Sequence, residues 1–383
     1  MSPASTTARV YDITSDTATL PTDEMFEVMK MASRGDDVFQ ADDDVKALEA
    51  YMADLLGHEA ALFCVSGTMS NQLGLRTILT QPPHSVLSDA RAHIHVHECG
   101  GLSYHSQASV TPVMPKNGIH LTAEDVRAAI VTDELCGAPT KVIGLENTLN
   151  GMVMPIEEIK RIRQVADEFG LLMHLDGARL WNASAASGVP LKEYGKLFDT
   201  VSVCLSKGAG APIGSILACN KERIRKARHL RKLMGGGWRQ AGSLAAAARH
   251  CIDTVVPTLP QTHALASRLA KHLQSLGINL VLPCHTNMLF IDVSPVGLTI
   301  DTLAAELIKK NIKISATPGA TVSRIVLHYQ IPAEVIQDFM DVATQVVKEH
   351  GKPVTTSIKD GIAASNNGHP VPNLAAAYPS GNN

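Results

Sequence analysis

Lys207 stands directly after an apolar run, Thr200–Leu205, and before the glycine-rich stretch GAGAPIG. An ammonium tethered at such a strand end is open to desolvation, which lowers its pKa and makes the free amine nucleophilic. The plainer alternative is a solvated lysine. Asp176 lies 31 residues earlier, one strand–helix–strand step, and ends the run Leu171–Leu175 within HLDGARLWN, with Arg179 close behind. A carboxylate at the carboxyl edge of a strand lies where open α/β sheets bind ligands, although aspartate there also makes an ordinary helix N-cap. Ser66-Gly67-Thr68-Met69-Ser70-Asn71 follows the run Ala61–Val65 and opens a helix through Leu79. Its unpaired N–H groups and positive helix end suit a phosphate, or the turn is only a serine cap beside a glycine.

His93, His95 and His97 alternate and are followed by Glu98. On a strand all three imidazoles would face one way, which invites a zinc reading. No fourth ligand is defined and the HExxH spacing is absent, so no metal is expected, and one imidazole stacked on a flat ligand is the more economical role. Arg324, in SRIVLHY, can clamp a carboxylate bidentately, or is a surface arginine of an edge strand.

These residues need a scaffold. The runs 61–65, 86–89, 141–147, 171–177 and 200–206 lack strict alternation and read as strands buried on both faces, with amphipathic segments between them. That order gives an α/β parallel sheet. Two helices precede it, near Thr22–Ser33 and Val45–Leu56. From Pro257 the order becomes helix (263–275), strand (279–283), strand (288–293), helix (300–310), strand (312–316), strand (324–329), helix (332–347), a small α+β domain. The expected division is an N-terminal arm over 1–30, a large domain over 31–256, a small domain over 257–350 and a disordered tail over 351–383. The tail is rich in Gly, Pro, Asn and Ser without periodicity.

Composition narrows the function class. The 383 residues are 45% hydrophobic, and 34 Lys+Arg against 37 Asp+Glu give a net charge of −3. The chain is long enough to bury roughly 75% of its unfolded surface, so a disordered or collagen-like reading fails. With no long basic run there is no electrostatic footprint for nucleic acid or an anionic membrane. Seven scattered cysteines without a CxxC pair argue against a disulfide framework. No apolar leader or membrane span is visible, so a cytoplasmic protein acting on small molecules is expected.

The motifs SDTATLPT, GDDVF, EAALFCVSGTMSNQ, LENTLNG, HLDGARLWNA, CLSKGAGAPIGS and GGGWRQAG occur in an order that resembles the L-threonine aldolases over roughly residues 12–348. These are PLP-dependent enzymes of the aspartate-aminotransferase-like fold type I, with a large domain around a mostly parallel sheet and a small α+β domain. The resemblance implies that Lys207 holds pyridoxal 5'-phosphate covalently, that Asp176 pairs with its ring nitrogen, and that Gly67 and Thr68 hold the phosphate. It implies that His93 stacks on the ring, and that Ser15, Arg179 and Arg324 bind the substrate carboxylate, Arg179 also touching the cofactor's phenolic oxygen. Lys232 and Arg239 correspond to positions near the phosphate that reach a neighbouring subunit. A homotetramer, built as a dimer of dimers, and cleavage of L-threonine or L-allo-threonine to glycine and acetaldehyde are the further implications. His93, His97 or a held water is the base for the β-hydroxyl.

The chain departs from the family pattern at Leu149, where many bacterial members have histidine, and at Thr14, Gln40 and Ser103-Tyr104-His105. The alternative is an amino-acid racemase on the same scaffold, as in fungal alanine racemases, with Lys207 on one face and Tyr104 or His105 on the other.

Overall fold

The computed structural model describes residues 9–351, so the tail expected to be disordered lies, beyond Gly351, outside the described residues. The chain forms two compact units. Within the described residues, one comprises Thr19–Pro260; the other joins residues 9–18 to 261–351. The stretch expected as an N-terminal arm is therefore divided, residues 9–18 joining the second unit and 19–30 the first, because Tyr11–Asp12 pairs in parallel with Ile312–Lys313. Ile13 completes the graft, accepting from Val326 N at 2.9 Å with its own side chain fully buried.

The larger unit is built on a seven-stranded sheet in the order Ala60–Cys64, Ser215–Cys219, Thr200–Cys204, Leu172–Asp176, Thr140–Glu146, Ser85–Asp89, Ser109–Val113. Ser215–Cys219 runs antiparallel to both neighbours, and the other described pairings are parallel. All five apolar runs are strands, and most of their residues are buried. Two strands have no counterpart in the sequence reading. Ser109–Val113 is a half-exposed edge strand carrying Pro112, which an edge tolerates and an apolar-run criterion misses. Ser215–Cys219 follows the glycine-rich stretch so closely that the two read as one loop.

Local chemistry sets the helix ends. Asp42 caps Asp43–Leu56 by accepting from Val45 N, and Gly57, at φ +72°, ends it in the left-handed conformation that glycine adopts without strain. Val45, Leu48, Met52 and Leu56 form its buried stripe.

The smaller unit holds a three-stranded antiparallel sheet ordered Val322–Val326, Met288–Asp292, Asn279–Leu280. Its core combines Leu269 and Leu273, Leu303 and Leu307, and Ile336, Phe339 and Ala343 from three helices with Leu289, Ile291 and Ile325 of the sheet.

Candidate active site

The helix Gly67–Ile78 begins where the strand Ala60–Cys64 ends. Ser66 is its N-cap and accepts from Met69 N, while Gly67 and Thr68, as the first helical residues, have N–H groups without intrahelical acceptors. One face of this helix lies on the sheet. A Cβ on Gly67 would sit 2.7 Å from Cys204 Sγ, and one on Gly74 3.0 Å from the His174 ring. Between these glycines, the Ser70 hydroxyl bonds Ser202 Oγ and Ser215 Oγ, each at 2.6 Å, and Asn71 reaches the strand that ends at Asp176. Gly67, Ser70, Asn71 and Gly74 recur at i, i+3, i+4, i+7, a spacing that marks one helix face and that a search for apolar periodicity passes over.

Asp176 is buried at the carboxyl end of Leu172–Asp176. Its Oδ1 accepts from Ala178 N at 3.0 Å and its Oδ2 from Asn71 Nδ2 at 2.8 Å. The same Asn71 Nδ2 donates to Glu98 Oε1 at 2.9 Å, an oxygen that also bonds His93 Nδ1 at 2.9 Å. His93, Glu98 and Asp176 each place one possible ligand atom within 4.8 Å of the others. These atoms are already engaged with one another and with Asn71, so we read the cluster as a polar framework.

His93 opens a single helical turn, His93–Val96, and is not on a strand. The expectation that His93, His95 and His97 share one face is therefore corrected. Helical spacing instead pairs His93 with His97, whose ring centroids lie 5.7 Å apart. His97 is exposed, and His93 is half-buried.

Three carboxylates surround His93. Burial pulls its pKa down, but the Glu98 hydrogen bond and the charges of Asp176, Glu146 and Glu98 more than reverse this, and the net shift is upward. Glu146 accepts the His93 backbone N–H at 2.8 Å, and burial with the neighbouring Asp176 charge pushes its pKa up to about 8. Lys207 contributes its positive charge at Glu146.

Lys207 is half-buried, three residues past the strand Thr200–Cys204. Among the described residues, no hydrogen bond or ion pair holds its amine. Its loop is fixed from behind: Trp181 Nε1 donates to Cys204 O at 2.9 Å, and a Cβ on Gly208 would meet Asn182 Oδ1 at 2.4 Å. Arg179 is half-buried just before the helix Leu180–Ser187.

Lys232 and Arg239 are exposed around the turn that follows the helix Lys221–Leu233, where Arg239 Nε contacts Asp36 Oδ2 at 3.2 Å. A Cβ on Gly236 of the same turn would meet Met69 in the first turn of Gly67–Ile78. Lys232 also lines a cavity of about 820 Å³, whose lining includes none of Lys207, Asp176 or His93. Leu149 is buried and lines a small cavity with Glu146, Met152 and Met154.

Ser15 and Arg324 belong to the smaller unit. Arg324 is buried in Val322–Val326, and its Nη2 donates to Thr14 O at 3.2 Å, next to Ser15. The Ser15 hydroxyl accepts from Thr17 N at 3.2 Å.

Residues 12–295 match the family model described as beta-eliminating lyase. The chain is 46% identical, over 88% of both chains, to the low specificity L-threonine aldolase of Saccharomyces cerevisiae. The chain belongs to the L-threonine aldolase family. Within the same superfold, the threonine aldolase of Leishmania major aligns with a TM-score of 0.75 at 21% identity, covering 88% of this chain and 99% of the other. The alanine racemase TOXG of Cochliobolus carbonum is 36% identical over 88% of this chain and 87% of its own length. As a threonine aldolase family member with the type I fold, the protein uses pyridoxal 5'-phosphate. Its residues fit that group: an uncommitted amine at Lys207, a buried carboxylate at Asp176, and free N–H groups at Gly67 and Thr68.

Proposed function

We propose that this protein is a lyase that cleaves L-threonine and L-allo-threonine to glycine and acetaldehyde by breaking the Cα–Cβ bond. The observation that carries the reading is the 46% identity to the yeast low specificity enzyme along 88% of each chain. Pyridoxal 5'-phosphate, when bound, supplies the sink for the electron pair left on Cα.

The chain supplies the rest. Lys207 offers the amine that would hold the cofactor, and the negative charge of Asp176 would keep a proton on its ring nitrogen. Gly67 and Thr68 bind the phosphate through backbone N–H groups, helped by the positive end of their helix. Lys232 and Arg239, exposed in a single chain, serve the phosphate of a neighbouring subunit. Ser15, Arg179 and Arg324 hold the substrate carboxylate, which orients the scissile bond.

His93 would stack on the ring of bound cofactor and accept the β-hydroxyl proton as the carbonyl of acetaldehyde forms. His97 stands beside it. Leu149 has no hydrogen-bonding group to offer the hydroxyl, which favours weak discrimination at Cβ.

The assembly we propose is a dimer of dimers in the cytoplasm. Leu20, Met31 and Phe39, large apolar side chains on one stretch of the larger unit, are 65%, 81% and 80% exposed, as an interface between copies would require.

The racemase reading needs a proton donor opposite Lys207. Tyr104 is 82% exposed and packs edge-on against His105, which does not favour that role. Incubation with L-threonine, L-allo-threonine and L-alanine, following acetaldehyde and alanine chirality together, tests the choice. Acetaldehyde equimolar with glycine supports the aldolase. Rapid D-alanine formation with negligible acetaldehyde replaces it with the racemase.

A further inference from the structure

We propose that Glu98 is a positioning residue that fixes the proton of His93 on Nδ1 and leaves Nε2 as the nitrogen that accepts protons, with Asn71 tying this arrangement to Asp176. The assignment of a catalytic consequence rests on the aldolase reading; the proton arrangement rests on geometry.

The Glu98 side chain is fully buried. An ionised carboxylate is only an acceptor, and three groups point at it: His93 Nδ1 and Asn71 Nδ2 on Oε1, each at 2.9 Å, and Gln72 Nε2 on Oε2 at 2.5 Å. Nδ1 must then carry the proton. In the neutral ring the lone pair falls on Nε2.

Asn71 is locked from the other side. Its Nδ2 donates one hydrogen to Glu98 and the other to Asp176, so Oδ1 is left to accept from His174 Nε2 at 3.1 Å. His174 is buried and held neutral, its pKa pushed down to about 4 by desolvation, and its Nδ1 accepts from Thr200 Oγ1 at 2.8 Å. One amide therefore joins Asp176 to Glu98, the carboxylate that bonds His93 Nδ1. Neither Asn71 nor Glu98 need touch substrate.

The groups facing His93 are Glu98, Asp176 and Glu146, all acidic, and the His97 ring. The Glu98 hydrogen bond and the Asp176 charge favour the imidazolium, so the ring becomes a base only above an apparent pKa higher than the ordinary 6.5. Replacing Glu98 by glutamine removes the nearest anion and keeps an oxygen for Nδ1.

The test uses holoenzyme labelled with ¹³Cε1-histidine, with the His93 resonance identified by its loss in His93→Asn. In the wild type that resonance titrates above 6.5 as an Nδ1–H tautomer. In Glu98→Gln the midpoint falls by about one pH unit or more. The acid limb of kcat/KM for L-threonine moves down with it. Should Glu98→Gln fail to fold, Glu98→Asp keeps the charge and withdraws the oxygen by one bond, and the expected result is loss of the single tautomer. A midpoint and tautomer unmoved in a folded variant overturn the proposal. A shifted resonance in a protein that cleaves neither threonine upholds the role of Glu98 toward His93 and removes the aldolase reading alone.

Discussion

Asn71 Nδ2 lies 2.8 Å from Asp176 Oδ2, across 105 residues of sequence, and fastens the carboxylate at the end of one strand to the helix Gly67–Ile78. In the proposed site, the groups assigned to the cofactor's ring nitrogen and to its phosphate therefore sit on directly bonded elements. Replacing Asp176 by asparagine keeps the size of the side chain and removes its charge. We expect kcat to fall at least ~10²-fold, about 2.7 kcal/mol at the barrier, while phosphate-anchored cofactor binding persists. Steady-state kinetics beside equilibrium dialysis of the cofactor measure both, and a variant with near wild-type kcat would show that another group protonates the ring.

The aldolase geometry also predicts which polar residues are dispensable. Substituting His93 by asparagine should cost ~10²-fold or more in cleavage, the usual worth of a general base, and His97→Asn should cost less. Tyr104→Phe and His105→Ala should leave cleavage largely intact, because Tyr104 is exposed and its ring rests on His105. The ratio of kcat/KM for L-threonine and L-allo-threonine should stay within about tenfold, since an apolar Leu149 cannot reject a misplaced hydroxyl strongly. Loss of activity in Tyr104→Phe with His93→Asn unaffected would contradict this map.

A third expectation concerns stability against pH. Burial holds the His174 pKa at about 4, against an ordinary 6.5. Between those values the unfolded chain carries a proton that the folded chain refuses, so stability is lost as pH falls from 6.5 toward 4. The whole interval is worth on the order of 3 kcal/mol from this one residue. His263, whose pKa is also pushed down to about 4 by burial, acts in the same direction. Urea unfolding at pH 7.5 and 5 should show the loss, and His174→Gln should reduce it. An equal loss in the variant would mean that His174 is not the titrating group.

Much of this site could be read from sequence because its residues end apolar strands. Asp176 closes LLMHLD and Lys207 follows TVSVCLS, so the runs that bury the sheet also locate the carboxylate and the amine. Ser66 announces a helix start by type and position. Asn71 and Glu98 gave no such signal, since a polar residue in a helix or after a histidine cluster reads as solvated. Only the packing of Gly67–Ile78 against the sheet shows that both are buried. The histidine alternation misled for a related reason: a period of two over five residues fits a short strand, but Ala92 and His93 begin a helical turn whose i, i+4 pair is His93 and His97. The graft of residues 11–13 onto the C-terminal unit is a long-range pairing that local pattern does not encode.

The central claim is that one site forms around Lys207, with Asp176 and the Gly67–Thr68 turn as its other anchors. Borohydride reduction of the holoenzyme followed by peptide mass spectrometry tests it most directly. The account predicts a single pyridoxyl adduct on Lys207, and a Lys207→Ala protein that retains no reducible adduct. A stoichiometric adduct on any other lysine, or an adduct that survives Lys207→Ala, would contradict it.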